Sequence, residues 1–171
     1  MATHPNTQSM LYESLPEMLL AAKYCIESRK DIEIWPAPGC YGYPAALILL
    51  SIADSIGSYV ENGKVENHFK ILNNPEYYNL DLDERFLQVI YKYYRNTLTH
   101  NSVLTPNISL DIGQPDDRIF EEINNIFVLN LVPFYNLSVL SVNKLLNNPQ
   151  VLSNNPTISN IEKKNSSTYH W

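Results

Sequence analysis

The sequence predicts a mainly α fold, a bundle of four or five helices with a small β element before the last of them. Three observations lead there. Apolar residues recur at helical spacing in four stretches, near residues 15–29, 44–61, 82–98 and 131–146. Strand-like content gathers between residues 102 and 129. Asn, Gly and Pro mark most of the boundaries. With 171 residues, 44% of them hydrophobic and 18% charged, the chain is large enough for one domain with its own core.

Residues 1–10 are polar and expected to be loose. Ser14 can cap a first helix with Pro16 in its first turn. Leu15, Met18, Leu19, Ala22 and Ile26 then form one stripe as far as Arg29. Residues 31–43 hold two prolines and two glycines and read as a loop, with Trp35 expected to plug the core. Pro44 suits the first turn of a second helix, which Asn62-Gly63 would stop. Ala46 to Leu50, Ile52, Ala53 and Ile56 make that helix apolar nearly all round, as a central helix should be. Its Gly57 implies either a close helix contact or weak packing. Residues 65–73 form a short helix ended by Asn73-Asn74-Pro75, and Tyr77, Tyr78 and Leu80 pack the link that follows.

The stretch 83–101 reads as one amphipathic helix. Leu82, Phe86, Val89, Ile90, Tyr93, Thr97 and Leu98 supply its apolar stripe. Asp81 is expected as N-cap, with Glu84 completing a capping box, and Asn101 as the left-handed stop. Residues 102–104 and 107–112 are strand-like around Pro106, and Gly113-Gln114-Pro115 turns the chain. Residues 118–121 and 126–129 can pair as a hairpin, with a helix from Asp116 as the alternative. Asn130 is a good N-cap for a last helix over 131–146, with Pro133 in its first turn. Phe134, Leu137, Leu140, Val142 and Leu145 are its expected core residues. The helical domain is thus set at 1–149. Residues 150–171, rich in Asn, Ser and Pro, are expected to be a flexible, removable tail.

Composition narrows the function. A net charge of −6, from 12 basic and 18 acidic residues, argues against broad nucleic-acid binding, so any contact with RNA must be local. Cys25 and Cys40 do not make a disulfide framework and suit a reducing compartment. No apolar run is expected to reach the roughly 20 residues of a membrane helix. The N-terminus has no signal-peptide pattern, so a cytoplasmic protein is expected. His4, His68, His100 and His170 show no metal-ligand spacing, and no glycine-rich cofactor motif or nucleophile elbow is present. Neither a metal nor a cofactor is expected.

The chemistry concentrates at Arg95, Asn96 and His100. Asn96 and His100 are four apart and share a helix face. Arg95 and His100 are five apart and lie roughly 140° from each other in an ideal helix. A loosened last turn would bring them together, as would a pair of packed chains. The helix dipole favours a positive charge on His100 and should raise its pKa from about 6.5, towards a proton carrier near neutral pH. Asp54, in the apolar second helix, needs a partner if buried, and Arg95 is available; an exposed Asp on a narrow polar strip is the alternative. Lys92 and Tyr94, beside Tyr91 and Tyr93, are candidate substrate-binding residues, since tyrosines next to cations can stack bases. Tyrosines serve equally as core and interface residues.

The run Tyr94-Arg95-Asn96-Thr97-Leu98-Thr99-His100-Asn101 resembles the Arg-x4–6-His signature of the HEPN superfamily (higher eukaryotes and prokaryotes nucleotide-binding domains), in which a polar residue commonly follows the Arg. The helix over 44–61 resembles the long second helix of bacterial members, and the likeness in organisation spans about 40–140. The resemblance implies a HEPN-like helical bundle and a metal-independent endoribonuclease. It further implies a toxin or antiviral defence effector that works as a homodimer, with an antitoxin-like protein as a possible partner. Other members bind nucleotides or proteins without cutting. It also implies roles: His100 as acid or base, Arg95 as holder of the phosphate oxygens, Asn96 as orienting group; Asp54, if paired with Arg95, is a candidate support.

Overall fold

The computed structural model describes residues 7–35, 38–61 and 65–153. The start at 1–6, the stop at Asn62-Gly63, His4, His170 and all residues from 154 onward lie outside the described residues. Those described are mainly helical, with a small three-stranded sheet.

Helix α1 (Thr7–Glu27) begins two turns before the expected cap and carries Pro16 in its interior. The proline removes one backbone donor, but Leu15, Leu19, Ala22 and Ile26 are buried along one face and hold the helix to the core. Helix α2 (Gly42–Val60) is the centre of the molecule, packed against α1 and the last long helix, with Leu49, Leu50, Ile52, Ala53 and Ile56 fully buried. Its 19 residues are long and apolar enough to span a membrane by length and composition, which corrects the expectation that no run approaches that length. Between the two helices Trp35 is 45% exposed rather than in the core. Its neighbours Ile32 and Ile34 are exposed too, because this turn runs over the surface, and Lys30 lies 5.7 Å from the Trp35 ring.

The expected short helix divides into α3 (Val65–His68) and a 3-10 turn, Phe69–Asn73. Asn73 then closes the link to the next helix by mimicking a backbone unit. Its Nδ2 donates to the Leu82 carbonyl at 2.6 Å, and its Oδ1 accepts the Leu82 N–H at 2.7 Å. Tyr77 and Tyr78 are buried in that link, as their composition predicts.

The central stretch is one helical run with three windings: α4 (Glu84–Val89), a π segment (Ile90–Asn96) and α5 (Thr97–Asn101). Its N-cap is Asp83, whose Oδ1 accepts the Phe86 N–H at 2.8 Å. Asp81 cannot cap, because it sits two residues upstream in a left-handed conformation, φ 53°. The left-handed stop falls at Ser102, one residue later than expected.

Strands β1 (Ile108–Asp111), β2 (Phe120–Ile123) and β3 (Ile126–Asn130) form a sheet in the order β1-β3-β2. The β2–β3 hairpin is the one the sequence indicates. Asn124 and Asn125, at φ 51° and 63°, make its turn, a conformation that Asn tolerates well. β1 pairs with β3 in parallel, and residues 102–104 are not strand. Helix α6 (Leu131–Leu146) follows β3 directly and buries Phe134, Ser138, Ser141, Val142 and Leu145. Leu140 lies off that face and is 64% exposed, against expectation. Helix α7 (Pro149–Ser153) buries Leu152, so packed structure runs past the tail boundary expected at 150.

Tyr94 ties the π segment to the sheet. Its ring is buried, and its hydroxyl lies 2.8 Å from the Phe127 carbonyl and 3.0 Å from the Ser109 carbonyl, so one phenol spans β3 and β1. Tyr78 is equally buried, with its hydroxyl 3.2 Å from Ser138 Oγ. Burial pushes both phenols well above their ordinary range. The folded state therefore holds these protons more tightly than the unfolded chain. The stabilisation is complete below about pH 10, where unfolded tyrosine ionises, and is lost as pH rises through the higher folded values. Denaturant unfolding should show stability falling above about pH 10, and the fall should be smaller in Tyr94→Phe. At neutral pH that variant should be destabilised by about 1–2 kcal/mol, for the lost hydroxyl and the carbonyls it leaves without it.

Candidate active site

Consecutive residues of the π segment face different partners. Tyr94 points into the sheet, and Arg95, next along the winding, reaches back to α2. Arg95 Nη2 lies 3.3 Å from Asp54 Oδ2, and Nη1 donates to Asn96 Oδ1 at 3.2 Å. Asp54 is therefore not an exposed residue on a polar strip: it is 18% exposed and paired with Arg95, the partner available from the sequence. Of the guanidinium's five N–H donors, two are engaged in this way. The rest, on a side chain 26% exposed, remain for a ligand.

The π winding is rare and, where it occurs, frequently accompanies a functional site. Here it frees carbonyls that threonine hydroxyls take up. Thr97 Oγ1 donates to the Tyr93 carbonyl, and Thr99 Oγ1 to the Arg95 carbonyl at 2.6 Å. The winding returns to α at Thr97, so Asn96 and His100 share a face of the last turn, four residues apart. The His100 side chain is exposed and makes no hydrogen bond to any described residue. Arg95, Asn96 and Asp54 are thus brought together, and His100 stands one turn further on, joined to them by no hydrogen bond.

No family model, curated protein or solved structure matches the chain.

The two candidate substrate-binding residues separate. Lys92 is exposed, its ammonium 5.2 Å from the Tyr93 ring centroid. Tyr94 cannot stack a base, because it is 1% exposed and its hydroxyl is committed to the sheet. This corrects its expected role: in a turn closed by i→i+5 bonds, the residue carried beneath Ile90 towards the core is Tyr94. Tyr93 stays at the surface edge beside Lys92.

One member of the cluster was missed by sequence reasoning. His68 Nδ1 lies 2.8 Å from Asp54 Oδ1, so Asp54 holds two partners, Arg95 and His68, one on each oxygen. Gly57 makes this possible. It lies one turn after Asp54 on α2, and a Cβ there would overlap the backbone carbonyl of His68. The glycine lets α3 lie directly on α2, which sets the His68 ring over Asp54. The available signals were an Asp in an apolar helix and a Gly three residues later on the same face.

Proposed function

We propose that the chain is a HEPN-like, metal-independent endoribonuclease. The observation that carries the reading is the Asp54–Arg95–Asn96 cluster, which joins α2 to a π segment whose next turn presents the exposed His100. RNA supplies its own nucleophile, the 2′-OH. Cleavage then needs a base to take the 2′-O proton as O2′ attacks phosphorus, an acid to protonate the departing O5′, and a group to hold the charged phosphorane. His100 moves one of these protons. Arg95 holds the phosphate oxygens with its remaining N–H donors. Asn96 fixes the guanidinium, and Lys92 draws in the flanking strand. In this reading the protein works in a reducing compartment, the cytoplasm, which suits the two free cysteines.

The test is incubation of purified protein with mixed RNA in the presence of EDTA. The expected products end in 2′,3′-cyclic phosphate; cleavage that stops with the chelator would sink the mechanism. A homodimer belongs to the same reading. Arg95 and His100 share no hydrogen bond within one chain, and a two-fold pair would set two copies of each group at one cleft. Sedimentation should give twice the chain mass of 19.6 kDa, and a monomer at high concentration would count against the paired cleft. The net charge of −6 favours a second reading, a non-catalytic module that binds a nucleotide or an antitoxin-like protein. Nucleotide binding without RNA cleavage would decide for it.

A further inference from the structure

The geometry points to His68 as the second proton-transfer group of the site, complementing His100. This rests on the endoribonuclease reading and goes beyond it, since 2′-OH attack needs two protons moved, the Arg-Asn-x-x-x-His stretch supplies one imidazole per chain, and His68 supplies a second within the same chain. Asp54 is the acceptor from Arg95, so its carboxylate is ionised and can only accept from His68 as well. The proton on the facing ring nitrogen is thereby placed on Nδ1, and the second nitrogen, Nε2, is left to exchange a proton with a ligand. Nε2 makes no hydrogen bond to any described residue, and the side chain is 14% exposed. The same carboxylate holds Arg95, so a phosphate on the guanidinium lies one shared residue away from His68. The charged groups joined to the ring through hydrogen bonds are Asp54 on α2 and, through it, Arg95 on the π segment. In the reaction one imidazole takes the 2′-O proton while the P–O5′ bond breaks, and the other delivers a proton to O5′. The two imidazoles finish with their protonation states exchanged.

The deciding pair of variants is His68→Asn and His68→Gln in the full-length protein. The asparagine amide can donate to Asp54 where Nδ1–H stood but has nothing in place of Nε2. A merely structural His68 would leave His68→Asn active. The expected result is a folded His68→Asn protein, judged by its melting curve, that cleaves RNA roughly 10²–10⁴ more slowly. His68→Gln, whose amide replaces the other end of the ring, should be equally slow and supplies the test if the asparagine variant fails to fold. An RNA with a bridging 5′-sulfur needs no acid for its leaving group. It should restore cleavage in one of His68→Asn and His100→Ala and not in the other. Wild-type rates in His68→Asn, or rescue of neither variant, would overturn the role of His68 while leaving the endoribonuclease reading standing. A wild-type protein that cleaves no RNA removes both.

Discussion

Replacing His100 by alanine should lower RNA cleavage by roughly 10²–10⁴, the usual worth of a positioned acid or base, without unfolding the protein. The fold survives the change because of where His100 sits. Its side chain is exposed in the last turn of α5 and makes no hydrogen bond to any described residue, so truncation removes almost nothing that the fold uses. A lost rate in a protein with an unchanged melting curve is then a loss of chemistry. Arg95→Ala should lower the rate by roughly 10²–10³, as for other lost charge-stabilising groups. It also strips Asp54 of one cation, so a modest fall in stability should accompany it. Arg95→Lys should recover only part, because a single ammonium cannot hold Asp54, Asn96 and a phosphate with one planar fork. Undiminished cleavage in His100→Ala would assign any activity to another site.

Gly57→Ala should destabilise the protein by about 1–3 kcal/mol. The sign is what makes this informative. At an unencumbered position inside a helix, the same change stabilises by up to about 1 kcal/mol, because alanine is the better helix former. At Gly57 the added methyl meets the backbone carbonyl of His68, which cannot rotate away as a flexible side chain would. Either α3 lifts off α2 or both helices shift, and the 2.8 Å contact between His68 and Asp54 opens. Urea unfolding reads the effect directly, and a gain in stability would show that α3 does not rest on that face of α2.

The elements that could be read from the sequence are those specified by neighbours in the chain. The β2–β3 hairpin rests on a two-residue Asn turn between alternating segments, and α2 on a continuous apolar run. The Asp54–Arg95 pair was one of two readings open from the sequence, beside an exposed Asp on a polar strip, because an acidic residue in an apolar helix asks for a cation if it is buried. What escaped was set by tertiary structure. No local signal announces that β1 runs parallel to β3. Asp83 takes the cap because Asn73 clamps Leu82 and fixes where the link ends. The π winding leaves no mark in apolar periodicity, so the expected stripe includes Tyr93, which packs partly buried against the core, and leaves out the fully buried Tyr94. His68 comes from a segment with no pattern of its own.

One carboxylate, that of Asp54, serves both Arg95 and His68. Asp54 is an anion already seated on Arg95, so any further anion meets a guanidinium whose charge is partly answered. The affinity of the guanidinium for any incoming anion is therefore lowered. Free sulfate or phosphate gains little by the contact. A polymer gains more, because contacts along its length add to the one made at Arg95. Substitution of Asp54 by asparagine would remove the seated anion and the anchor together, tightening the hold on simple anions while the guanidinium loses its fixed direction.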